Sequence, residues 1–190
     1  MINEQKVIDY FAKYKHNIYS QYGEDGVIAE LLRIIGIDNG IAVDIGAWDG
    51  IKFSNVKALV DRGYGATMIE ADEDKFKTLE HNYRDNPSVR CIRDIITSDN
   101  AAGYFLDWDY PVLNIDIDGG EADIWKAVGA RAVIAVIEWN DRGNKSDEKV
   151  EAAADELGYF KVSQTNSNMI FVRNDYRRTV MTVVLQQKEG

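Results

Sequence analysis

Along the chain, short apolar runs alternate with segments whose apolar residues recur every three or four positions. Residues 24–36 place Val27, Ile28, Leu31, Leu32 and Ile35 on one helical face, and Gly36 is a natural stop. "GIAVDIG" then reads as a brief buried strand. A helix is expected over 54–63, opened by Ser54, a residue type that caps helix starts, and closed by Gly63. "ATMIEA" is a second strand, and "DEDKFKTLEHNYRDN" is a helix whose acidic first turn suits the helix dipole. "VRCIRD", "YPVLNIDID" and "AVIAVIEWN" read as strands three to five, with the helix "EADIWKAVG" between the last two. "SDEKVEAAADELG" is another helix, and "YFKVSQT" with "NMIFVRN" forms a closing antiparallel hairpin.

Strands as uniformly apolar as "AVIAVIE" suit parallel neighbours covered on both faces. The expected fold is therefore α/β, a doubly wound, mostly parallel Rossmann-like sheet forming a single domain over residues 1–190. In such sheets ligands bind beyond the carboxyl ends of the strands, at the point where strand order reverses. Those ends are acidic here: Asp44 and Asp49 around the first glycine turn, Glu70, Asp94, Asp116 with Asp118, and Glu138. Any one of them could simply cap the next helix, but acids at five successive strand ends point to a site.

The stretch "VDIGAWDG" decides what that site excludes. A dinucleotide loop needs glycines where pyrophosphate meets the backbone, yet Trp48 stands two residues after Gly46. Asp44 and Asp49 would repel a phosphate, and no Walker lysine is present. Glu70 lies 24 residues beyond Gly46, close to the spacing at which an acid grasps ribose hydroxyls. A cationic, ribose-bearing ligand without phosphate satisfies both facts, and S-adenosylmethionine is such a compound.

Composition narrows the partners. With 32 acidic against 22 basic residues the net charge is −10, which opposes nucleic-acid and anionic membrane surfaces, and the basic cluster Arg173, Arg177, Arg178 is small. Cys91 is the single cysteine, so no internal disulfide forms. No apolar run approaches the ~20 residues needed to span a bilayer. The N-terminal "MINEQKVIDYFAKYKHN" lacks a signal-peptide core, so a cytoplasmic protein is expected, with a homo-oligomer left open.

In order, "YSQYGEDGVIAELL", "VDIGAWDGIKFSN", "MIEAD" and "LNIDIDGGEADIWKAV" resemble the FkbM-type class I methyltransferases, over roughly residues 18–172. The resemblance implies a class I methyltransferase fold, S-adenosylmethionine as cofactor, and O-methylation of a sugar or other small-molecule hydroxyl. It implies that Asp44, Gly46 and Gly50 form the cofactor loop with Asp49 close by. Glu70 would hold the ribose, Asp94 and Ile95 would flank the adenine, and Asp116 would approach the cofactor. Gln21, Glu24 and Asp25 would close over the methionine end, within an N-terminal helical lid of about residues 1–36. A capped helix start is the alternative for those three.

Methyl transfer is an in-line displacement, and an alcohol acceptor must also lose its proton. Residues two apart in a strand share a face, so Asp116 pairs with Asp118 and Glu138 with Asn140. Asp116, Asp118 and Glu138 are the catalytic candidates. Asp118, Glu138 and Asn140 together form a hard-oxygen set suited to Mg²⁺ or Mn²⁺, which would acidify the acceptor hydroxyl. Alternatively, Asp116 or Asp118 orients cofactor or substrate without metal. His16 is a weaker base candidate, His81 falls mid-helix, and Cys91 sits inside a strand pattern. Trp48, Trp108 and Trp139 could wall a sugar site or pack in the core.

Three function classes follow: a small-molecule O-methyltransferase, a cofactor-binding module that needs a partner for activity, and a nucleic-acid methyltransferase. The short 95–110 segment keeps the second open. The third is opposed by the charge and by "DIDG" standing where an N/D-P-P-Y/F motif would follow strand four.

Overall fold

The protein is described by a computed structural model covering residues 4–106, 108–141 and 144–186, with the side chains of 140, 141, 144 and 145 outside the description. Seven strands form one sheet: β1 (Ile41–Ile45), β2 (Gly65–Glu70), β3 (Val89–Arg93), β4 (Tyr110–Ile115), β5 (Ala132–Glu138), β6 (Tyr159–Gln164) and β7 (Asn168–Arg173). Their spatial order is 3-2-1-4-5-7-6. The first five run parallel, while β7 is antiparallel to both β5 and β6. The chain steps outward from β1 to β3 and returns to the other side of β1 as β4, so the reversal lies between β1 and β4. That is where an open α/β sheet binds its ligand.

Both faces of the sheet are buried, as parallel strands require. Neighbours in sequence go to opposite layers: Val112 and Val136 to one core cluster, Leu113 and Ile137 to the other. Helices α1 (Glu4–Ala12), α2 (Glu24–Ile35), α3 (Lys57–Asp61), α4 (Glu73–Tyr83) and α7 (Arg177–Gln186) supply the first cluster; α5 (Glu121–Val128) and α6 (Asp147–Leu157) supply the second. No helix among the described residues is long and apolar enough to cross a membrane.

Four details depart from the sequence pattern. Helices α1 and α2 are core elements, with Phe11, Val27, Leu31 and Leu32 fully buried, so the part of segment 1–36 that reaches the ligand side is the loop between them. The hairpin is followed by α7, whose Val180, Met181 and Val184 are buried in the same layer. Strand β4 ends at Ile115, and Asp118 adopts a left-handed conformation at φ 63°. The alternation that would put Asp116 and Asp118 on one face therefore does not extend to them. The helix expected over 54–63 is the shorter Lys57–Asp61 with Val56 at its N-cap position, and Ser54 supports its start from the preceding turn, its Oγ accepting from the amides of Val56 and Lys57 at 3.2 and 3.0 Å.

Candidate active site

A cavity of about 880 Å³ opens at the carboxyl ends of β1, β2, β4 and β5. Asp44, Gly46, Glu70, Asp94, Ile95, Asp116, Asp118 and Glu138 all line it, and Gln21 reaches it from the α1–α2 loop. Asp49, Gly50, Glu24 and Asp25, also expected at the cofactor, are not among the residues that line it.

Asp44, at the end of β1, is 1% exposed. Its Oδ1 accepts from Asn114 Nδ2 at 2.8 Å and its Oδ2 from Ser54 Oγ at 3.4 Å. Asn114 faces it in the sheet register, and Asn55 Nδ2 donates to Asn114 Oδ1 at 2.9 Å, completing a buried polar relay. Burial outweighs these bonds and, with the nearby charge of Asp116, pushes the Asp44 pKa up to about 7. A cation brought beside it would favour the ionised form.

Gly46 turns the chain sharply after β1, at φ 85°. A Cβ there would lie 1.6 Å from the backbone oxygen of Asp116, so only glycine lets the loop pass against the end of β4. Gly50, at φ 72°, is pressed onto α4 instead: a Cβ would come within 2.5 Å of Leu79 and Tyr83. Asp49 Oδ1 accepts from the amides of Ile51 and Lys52, holding the loop in a turn.

Glu70 ties two segments together. Its Oε2 accepts from the Trp48 amide and its Oε1 from the Asp72 amide, both at 2.8 Å. Each carboxylate oxygen carries a second lone pair that can take a ligand hydroxyl. Trp48 and Phe53 are half exposed beside the loop at positive φ, with Lys52 Nζ 5.2 and 5.0 Å from their ring centres. At the far end, Asp94 accepts from the Tyr104 hydroxyl and from the Ile95 amide, and the Ile95 side chain is 66% exposed.

Glu24 and Asp25 brace the loop over the other end. One oxygen of Asp25 accepts from the amides of Ile18, Tyr19 and Ser20, at 2.7 to 2.8 Å. Glu24 is fully buried; it accepts from the Tyr22 amide, from Thr165 Oγ1 at 2.6 Å and from Asn168 Nδ2 at 3.2 Å. Through these bonds the loop carrying Gln21 is fastened to the β6–β7 turn.

The metal expectation finds no support. Among the described residues, no three His, Cys, Asp or Glu side chains gather in a way that could hold an ion. Asp118 leaves the strand alternation, and Asn140, in the two-residue ribbon after β5, has a side chain outside the description. The sequence reading missed Asn114, Asn55 and Asn168, because single amides inside apolar strands and turns carry no pattern.

No protein-family model matches the chain, and no curated protein matches it in sequence. Among solved structures it is similar to a Staphylococcus aureus protein provisionally named a caffeoyl-CoA O-methyltransferase, at TM-score 0.57 and 13% identity, covering 91% of this chain and 93% of that one. It is similar to a TehB-like SAM-dependent methyltransferase from Corynebacterium glutamicum, at TM-score 0.53 and 13% identity over 87% and 93% of the two chains. It is also similar to the N-terminal domain of human METTL16 in complex with SAH, at TM-score 0.52 and 14% identity over 80% and 70%. The chain has the fold of class I S-adenosylmethionine-dependent methyltransferases, with the antiparallel strands at its C-terminal end.

Proposed function

We propose that the protein is an S-adenosylmethionine-dependent methyltransferase of FkbM type, acting in the cytoplasm on a hydroxyl of a sugar or another small molecule. The observation that carries the reading is the pairing of a buried acid, Asp44, with a ribose-spaced acid, Glu70, across a glycine turn at the sheet's reversal point. Such a site favours a nucleoside with positive charge and disfavours a pyrophosphate. The neighbouring structures named for SAM-dependent activity or holding SAH support the same ligand class.

When bound, the cofactor supplies an activated methyl group on a sulfonium. Glu70 takes the ribose hydroxyls on its free lone pairs while keeping Trp48 and Asp72 in place. Asp94 and the exposed Ile95 side chain flank the base. Asp44 and Asp116 offset the positive charge, and Asn114 orients Asp44. Gln21 closes the methionine end on a loop that Glu24 and Asp25 hold. The bound cofactor would supply the methyl group for an in-line transfer to the acceptor oxygen, and Asp116 or Glu138 would receive the hydroxyl proton, with Asp118 at the rim. No step is assigned to a metal.

Isothermal calorimetry with S-adenosylmethionine, S-adenosylhomocysteine and NADH tests the reading. Both adenosyl ligands are expected to bind and NADH to fail. Binding of NADH with neither adenosyl ligand would remove the proposal.

A further inference from the structure

The turn from β6 to β7 brings to the cavity a residue with no part in the chemistry so far. Asn168, the first residue of β7, lies directly opposite Glu138 in the β5–β7 register, lines the cavity and is 4% exposed. Its Nδ2 donates to buried Glu24 at 3.2 Å, which fixes the way the amide faces, and its Oδ1 has no donor. Asp25, Asn55 and Ser163 also keep a buried oxygen without a donor, but none of them lines this cavity. A buried carbonyl oxygen left unmatched is costly, so it marks a place where an N–H or O–H of a guest is favoured.

The turn around this oxygen is held from several sides. The Thr165 amide donates to the Asn168 carbonyl at 2.8 Å, the Asn168 amide donates to Thr165 Oγ1 at 3.0 Å, and Thr165 Oγ1 donates to Glu24 at 2.6 Å. From β5, the Trp139 amide donates to the Ser167 carbonyl at 2.8 Å and the indole N–H to the Thr165 carbonyl at 3.1 Å. Asn168 is therefore a preorganised acceptor, and using it on binding costs little further ordering. Its place in the sheet sets it apart from the cofactor's amino-acid end: in the order 1-4-5-7 it stands two strand spacings from Asn114, about 10 Å, and one from Glu138. Side chains directly opposite in an antiparallel pair have their Cβ atoms about 5 Å apart, a span that hydroxyls on two adjacent carbons bridge.

We propose that Asn168 binds the methyl acceptor, its Oδ1 taking a hydrogen bond from the hydroxyl next to the one that is methylated, so that the acceptor is a vicinal diol. The assignment rests on the methyltransferase reading for the reaction, while the preference for a second donor rests on Asn168 itself. The reacting hydroxyl then lies toward the acidic ends of β4 and β5. Its neighbour, held on Asn168, decides which of the two hydroxyls faces the methyl group.

The test uses three probes with one ring: the cis cyclohexanediol with hydroxyls on adjacent carbons, its monomethyl ether, and cyclohexanol. Each is titrated into ¹⁵N-labelled full-length protein saturated with S-adenosylhomocysteine, and the side-chain amide of Asn168 is followed with the backbone amides of Asn166, Ser167 and Asn168. The diol is expected to shift them and to bind at least about fivefold more tightly than either monohydroxy compound, the worth of one further hydrogen bond. Asn168→Leu, checked for its melting temperature, is expected to lose that preference while cyclohexanol binds as before. Equal binding of the diol and its ether to the wild type would overturn the proposal, as would shifts confined elsewhere or absent, and these readings need no variant. Titrating S-adenosylhomocysteine alone separates the two claims. If it fails to bind while the diol preference at Asn168 persists, the methyltransferase reading falls and the diol site stands; if it binds and the preference is missing, the reading stands and the diol site falls.

Discussion

Replacing Asp44 by asparagine separates the cost of the buried acid from its use. The side chain keeps its shape and can still accept from Asn114, but it loses the charge that burial penalises. The pKa of Asp44 rises from an ordinary 3.8 to about 7 in the folded protein. The folded state therefore holds this proton more tightly than the unfolded chain, and stability is lost as pH climbs from the first value to the second. That linkage amounts to on the order of 4 kcal/mol in full, of which about 3 kcal/mol falls between pH 5 and pH 8. Ser54 loses its carboxylate acceptor in the variant, at a cost of about 1 kcal/mol. Asp44→Asn is thus expected to be more stable than wild type by roughly 2–3 kcal/mol at pH 8 and by much less at pH 5. Urea denaturation of both chains at both pH values reads the difference, and other titrating groups cancel in the comparison. The same variant is expected to bind S-adenosylmethionine about ten- to a hundredfold more weakly, the usual consequence of losing an interaction with a charged group. A stability difference that does not change with pH would refute the account of Asp44.

Wild-type affinity for S-adenosylmethionine is expected to rise as pH increases through about 7, with proton release on binding below that value; calorimetric heats independent of buffer ionisation enthalpy would contradict this. Glu70→Ala frees the Trp48 and Asp72 amides as well as the ribose, so it is expected to lower stability by about 1–3 kcal/mol and to weaken the cofactor, a pair of losses that melting and calorimetry read separately. Gly46→Ala forces the loop off the end of β4 and is expected to lower the melting temperature sharply, whereas Gly63→Ala, which has open space around it, costs only the strain of its positive φ. Chelation tests the metal expectation: loss of turnover restored by Mg²⁺ would place an ion at Asp118, Glu138 and Asn140, and turnover unchanged by a chelator would remove it.

The parts of the site that could be read in the sequence are those where a single residue type serves a backbone position. The acids at the strand ends were legible because apolar runs break at them, and Glu70 because its distance from the glycine turn is fixed by one strand–helix–strand unit. Side-chain direction beyond a strand end was not. Asp116 and Asp118 look like a same-face pair until the chain leaves β4 at Ile115 and Asp118 turns left-handed. Segment 1–36 looked like a lid because its motif belongs to the ligand side. Tertiary packing holds one face of each helix in the core and leaves the loop between them over the cavity. Asn168 was invisible for a different reason: its importance arises from lying opposite Glu138 across an antiparallel pair, a contact between residues 30 positions apart. Helix α7, rich in threonine and valine, has weak helical propensity and is held by packing against α1 and α2.

A crystal structure of the protein with S-adenosylhomocysteine tests the central claim most directly. The account predicts the ribose hydroxyls within hydrogen-bonding reach of Glu70, the base beside Asp94 and Ile95, and the amino-acid end between Gln21 and the Asp44–Asn114 pair. A nucleoside bound elsewhere, or bound in this cavity with its ribose away from Glu70, would contradict it.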